Sequence, residues 1–146
     1  MAGDSAGGGL AVSTATALRD RHLPMCAGIV AISPWADLTC SGESMTSRAA
    51  ADIECTRAGL LEMVGCYMNG ADPSQPLASP VFADLAGLPP LLCVVGGDEI
   101  LLDDSIRLVR NAGTAGIDAT LFIAGECSTY SRSGPAHSPK QTRRSR

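Results

Sequence analysis

A serine set between glycines, Gly3-x-Ser5-x-Gly7, is the strongest chemical signal in the chain. A hydroxyl acts as a nucleophile when it is held exposed with a base in reach. A tight turn from a strand into a helix provides the exposure, and small flanking residues relieve the strain of that turn. Taken alone, the pattern also fits a flexible glycine-rich tail. An acid follows further on: the apolar run at residues 91–95 ends in Gly96-Gly97-Asp98, where a carboxylate emerges just past a buried strand. The other reading of Asp98 is a cap for a helix beginning near Leu102, a role open equally to Asp103 and Asp104.

The fuller string Gly3-Asp4-Ser5-Ala6-Gly7-Gly8 resembles the nucleophile elbow of the hormone-sensitive-lipase-like (bacterial family IV) carboxylesterases, a branch of the α/β-hydrolases. Residues 88–104 are similar to the family's acid segment, and Ser33-Pro34-Trp35-Ala36-Asp37-Leu38 to its segment after the next strand. The resemblance implies acyl transfer on a small-molecule ester, with no cofactor and no metal. Ser5 Oγ attacks the carbonyl, a histidine takes the proton, Asp98 orients and stabilises the imidazolium, and backbone amides including that of Ala6 hold the oxyanion. Trp35 and Asp37 read as structural.

Alternating elements position these groups. Helical spacing and punctuation predict helices over 6–21, within 47–69 and over 102–113, and strands over 26–33, 91–95 and 118–123. Strands separated by helices argue for a parallel sheet. The fold class is therefore α/β; the resemblance makes it the C-terminal half of an α/β-hydrolase over residues 1–123, followed by a disordered basic tail over 124–146. Met63 and Met68 are expected to fill the core. His22 ends the first helix, where an imidazole faces solvent or the last carbonyls.

The 146 residues amount to little over half of such a fold, which runs to about 250 residues. Six cysteines stand without a C-x-x-C pair, which argues against zinc and for reduced thiols in a cytoplasmic setting. No run approaches the ~18 apolar residues of a membrane span, and no basic-then-apolar leader is seen. The family's upstream His-Gly-Gly loop is absent, as is the strand expected to hold Ser5 at Met1 and Ala2. Its loss is expected to expose the edge of the neighbouring strand to self-association.

From residue 124 the character changes. Arg132, Lys140, Arg143, Arg144 and Arg146 face the single acid Glu126, a net of +4, against −8 for residues 1–123. Serine, proline and glycine dominate, so composition predicts disorder, and no aromatic or helical face accompanies the charge to suggest a nucleic acid. His137 is the only downstream histidine. The family instead places glycine, often methionine, and then its histidine straight after the last strand. Joining the third base of each codon from Gly125 onward to the first two of the next admits glycine, methionine, glutamine, histidine, valine, phenylalanine, glutamine, isoleucine and tryptophan. The histidine codon straddles Ser128 and Thr129. Two expectations follow: a carboxylesterase truncated in front and frame-shifted behind, inactive as given, or a non-catalytic interaction protein reusing half a hydrolase sheet. Sequencing the gene over these codons is expected to show a histidine triplet one base out of frame; third bases that forbid it dispose of the frame shift.

Overall fold

The structure, a computed structural model, describes residues 1–125. Four strands, β1 (Ala2–Asp4), β2 (Ile29–Ile32), β3 (Leu91–Gly96) and β4 (Ala119–Ala124), form one parallel sheet in chain order. Between them run α1 (Ala6–Asp20), α2 (Ser44–Ser47), α3 (Arg57–Met68) and α4 (Leu102–Thr114), with a 3-10 turn at Pro80–Phe82. The α/β class and parallel sheet are as the sequence implied. The part of the tail beyond residue 125, with His137 and the shifted-frame histidine position, lies outside the described residues.

The sheet buries the central part of one face. Ile29 and Ala31 of β2 and Leu91 and Cys93 of β3 pack against Val12 and Ala15 of α1 and Leu108 and Ala112 of α4. Alternate residues point the other way. A second cluster sits past the carboxyl ends of the strands, where Trp35, Leu38, Met45, Leu60, Val64 and Ile100 meet. It joins the connections after β2 and β3 to α2 and α3.

Several expectations are corrected. Residues 2–4 do form a strand, with Asp4 paired to Ile32, so the edge left open is that of β1 and not of β2. Three residues suffice because the ladder continues into the turn, the Ser5 N–H donating to the Ile32 carbonyl at 2.9 Å. The helical region expected within 47–69 is helical only from Arg57, since α2 ends at Ser47. Asp52 interrupts it by accepting from the Glu54 and Cys55 amides, and Thr56 restarts it by accepting the Gly59 amide on its hydroxyl. The strand predicted from residue 26 begins at Ile29. Met63 is half exposed rather than core, whereas Met68 packs against the second cluster. Neither Asp103 nor Asp104 caps α4, because both carboxylates reach back to the loop after β2.

Helix α1 opens on Gly7, Gly8 and Gly9, a poor choice by propensity. Packing explains two of the three. A Cβ on Gly9 runs into the Trp35 carbonyl, and one on Gly8 comes within 3.0 Å of Pro34. Gly65, inside α3, faces open space. Gly9→Ala is therefore expected to destabilise the fold by about 2–3 kcal/mol through backbone overpacking. Gly65→Ala, by contrast, is expected to stabilise it by ~0.5–1 kcal/mol. Denaturant midpoints for the two variants check both signs.

Candidate active site

Ser5 sits at the join of β1 and α1 with φ 49° and ψ −123°, a left-handed backbone rare for any residue with a side chain. Such a conformation costs of order 1–3 kcal/mol and persists only where its surroundings hold it. Here the Ser5 carbonyl accepts three amides: Gly8 at 3.0 Å, Gly9 at 3.3 Å and, from the loop after β2, Trp35 at 2.8 Å. Gly3 must lack a side chain, since a Cβ there collides with the Gly7 carbonyl. The Gly-x-Ser spacing thus follows from the turn itself. Gly7, the other glycine of the pattern, meets nothing within 4 Å.

Beyond Ser5 the α1 N-terminus presents the amides of Ala6 and Gly7, which find no acceptor among the described residues. Unsatisfied amides at a positive helix end suit a developing oxyanion. Alongside, a cleft of about 290 Å³ opens between α1 and α3, walled by Ala6, Gly7, Leu10, Trp35, Met63, Tyr67 and Leu77. The half-exposed Met63 and Tyr67 are explained by this cleft, which periodicity alone gave no means of seeing.

Asp98 stands two residues past β3, half buried in a turn closed by Glu99, whose carboxylate accepts the Gly96 amide at 3.0 Å. The Asp98 carboxylate meets no hydrogen-bond donor among the described residues. Gly97 ties this turn to β4 by donating to the Ala124 carbonyl at 2.8 Å, so the chain leaves Gly125 beside the acid loop. Ser5 and Asp98 therefore share the carboxyl edge of the sheet, two strand spacings or about 10 Å apart at the backbone. His22 is far off, exposed at the other end of α1, whose 15 residues rise roughly 22 Å. No group of three metal-ligating side chains gathers among the described residues. The five described cysteines are free thiols; burial pushes Cys93 up to about 12.

Trp35 and Asp37 are buried, as a structural reading requires. Asp37 is the hub of a polar network. Burial alone pushes its carboxyl up, but the Ser41 and Thr39 hydroxyls, the Arg107 guanidinium and the Thr39 amide together outweigh burial and hold it below the usual range. Arg107 also lies over the Phe82 ring, 5.3 Å from its centroid. Asp104, fully buried on α4, accepts the amides of Ala36 and Asp37 at 2.8 and 2.9 Å. Sequence reasoning offered Asp104 only as a cap and did not see Arg107. Partners 67 and 70 residues away leave no local signature.

The description "alpha/beta hydrolase fold" matches residues 1–127, and the chain belongs to that family. An acetyl-hydrolase of Streptomyces hygroscopicus is 52% identical over 120 residues, covering 82% of this chain and 40% of the relative. An esterase of Acinetobacter venetianus is 37% identical, covering 80% and 39%. A solved esterase from the bacterial hormone-sensitive lipase family superposes with a TM-score of 0.86 at 45% identity, covering 87% of this chain and 43% of that one. By family the protein is an esterase- and lipase-like hydrolase, and it spans about two fifths of the length of these relatives. No helix among the described residues is long and apolar enough to cross a membrane.

Replacing Arg107 by Ala removes the cation bonded to the fully buried Asp37 carboxylate and is expected to cost about 2–4 kcal/mol. Because the folded value of Asp37 is depressed, its stabilisation is complete above the unfolded value of about 3.9 and drains away as pH falls through the folded one. Arg107→Ala should therefore unfold at a higher pH in an acid titration followed by circular dichroism. An unchanged acid midpoint contradicts the assignment.

Proposed function

We propose that the site is that of a serine carboxylic ester hydrolase, with Ser5 as nucleophile, Asp98 as triad acid and the Ala6 N–H as one oxyanion donor. The observation that carries the reading is the strained, half-buried Ser5, set between a strand end and a helix end whose first amides are unbonded. Ser5 Oγ attacks the ester carbonyl while a base takes its proton. Negative charge gathers on the carbonyl oxygen beside the Ala6 amide, and the alcohol leaves as the proton is returned to it. Water then repeats the sequence on the acyl-enzyme. The cleft beside Ala6 and Gly7 gives an apolar part of the substrate somewhere to lie.

The base is the missing group. No described histidine approaches Ser5, and His137 is flanked by Pro135 and Pro139 in a polar segment. A histidine at the Ser128–Thr129 position in the shifted frame follows Gly125 closely, and Gly125 lies beside Asp98. That closeness supports the frame-shifted reading of the tail. The chain as given is then inactive. A second reading, a non-catalytic interaction module that associates with itself or a partner through exposed sheet, draws on the apolar residues Ile32, Leu92 and Phe122 left uncovered on one face.

A fluorophosphonate probe should label the purified chain weakly or not at all, since a serine without base or complete oxyanion hole keeps its ordinary low nucleophilicity. Strong labelling lost in Ser5→Ala overturns the inactivity, and labelling lost also in His137→Ala makes His137 the base. Joining the frame-restored chain to the upstream half of a related esterase should yield hydrolysis of a short-chain aryl ester, because base, nucleophile and oxyanion donors act as a unit. That turnover must fall at least about 100-fold in Ser5→Ala and Asp98→Asn. A folded, repaired protein with no Ser5-dependent turnover leaves the interaction module standing.

A further inference from the structure

The Trp35 amide is one of three clamps on the strained Ser5 carbonyl, and the only one from outside α1. The two peptides that follow it, those of Ala36 and Asp37, both donate to the same carboxylate oxygen of Asp104, whose other oxygen is buried without a partner among the described residues. Asp104 lies six residues past Asp98, at the start of the helix that the acid loop feeds. We propose that Asp104 is a positioning residue for Ser5: its carboxylate holds the Trp35–Asp37 turn against the elbow, and the gain or loss of its charge tightens or slackens the Trp35 clamp. The link from Asp104 to the elbow stands on geometry; its consequence for nucleophilic chemistry rests on the function proposed above.

The charge is free to change near neutrality. Burial, aided by the Asp37 charge, raises Asp104 to about 7 against the pull of its two amide bonds and the Arg107 guanidinium. Other charged and titratable groups face this pocket. Asp37 is held low and Cys40, just beyond the turn, is pushed up to about 11, while the Arg107 guanidinium bonds Asp37 and the Asp103 carboxylate also lies alongside. An ionised acceptor binds amides about twice as strongly as a neutral one, so the clamp is firm above pH 7 and loose below it.

The test uses the whole chain and needs no activity. Trp35 is the only tryptophan, so its fluorescence reports the turn alone. The expected result is a single step in emission centred near pH 7, matched by carbon-13 shifts of the Asp104 carboxyl and the Ser5 carbonyl with the same midpoint. Hydrogen-exchange protection of the Trp35 amide, corrected for intrinsic rate, should be roughly fivefold greater on the alkaline side. Asp104→Asn keeps an oxygen for both amides and should abolish the step. A step that survives in Asp104→Asn overturns the proposal. So does an Asp104 carboxyl that titrates while the Ser5 carbonyl does not move, which reduces Asp104 to a buried structural acid. If the variant does not fold, the coincidence of the Asp104 and Ser5 midpoints in the unaltered chain decides alone. Loss of Ser5 from the catalytic reading is detected separately by the phosphonate probe.

Discussion

Everything distinctive about the site depends on one carbonyl. The Ser5 C=O lies where β1 gives way to α1, and the three amides converging on it come from two different crossovers of the sheet. A serine with positive φ is unfavourable by itself, so the elbow exists only as long as these bonds outweigh its strain. That requirement propagates outward. Gly3 and Gly9 must be bare for the turn and the Trp35 loop to approach, and Trp35 must be held at the correct height above β2. The half-buried Ser5 is held in place because the backbone beneath it is fastened by these three bonds.

Holding Trp35 in place is the task of the buried polar layer between the loop after β2 and α4. Removing the Asp37 and Asp104 carboxylates from water is expensive, and each is compensated differently. Asp37 gathers hydroxyls, amides and a guanidinium until its charge is comfortable, whereas Asp104 receives two amides and is left with an unsatisfied oxygen. Asp103 extends the same seam by accepting the Ser44 amide, and the Ser44 hydroxyl donates to the Ile100 carbonyl. The Ser5 turn and the Asp98 turn are thereby fastened to a common strip of protein, although they are 93 residues apart in the chain.

What could be read from the sequence was what local chemistry dictates. The elbow, the β3 run before Asp98 and helices α1 and α4 each follow from glycine placement, apolar runs or helical spacing. The errors fell where distant partners decide. Residues 2–4 are too few to signal a strand, yet they pair because β2 offers a ladder. The break at Asp52 was missed because its carboxylate caps a turn and also accepts the Ile100 amide from across the molecule. Met63 fits a helical apolar pattern but lines a cleft. Trp35 and Asp37 could be recognised as structural, but not that they hold the elbow through Asp104.

The sheet also constrains what can complete the site. Parallel sheets occur with both faces covered, yet α1 and α4 both pack on one face, and Ile32, Leu92 and Phe122 stand 36–58% exposed on the other. Cover for this face is not supplied by the described residues. The tail as translated is polar and basic, and cannot bury such a surface favourably. The shifted frame, besides its histidine, admits valine, phenylalanine, isoleucine and tryptophan, and it begins at the end of β4 beside Phe122. A segment of that composition offers the base that the function proposed above requires and apolar side chains for the bare face. The polar tail offers neither.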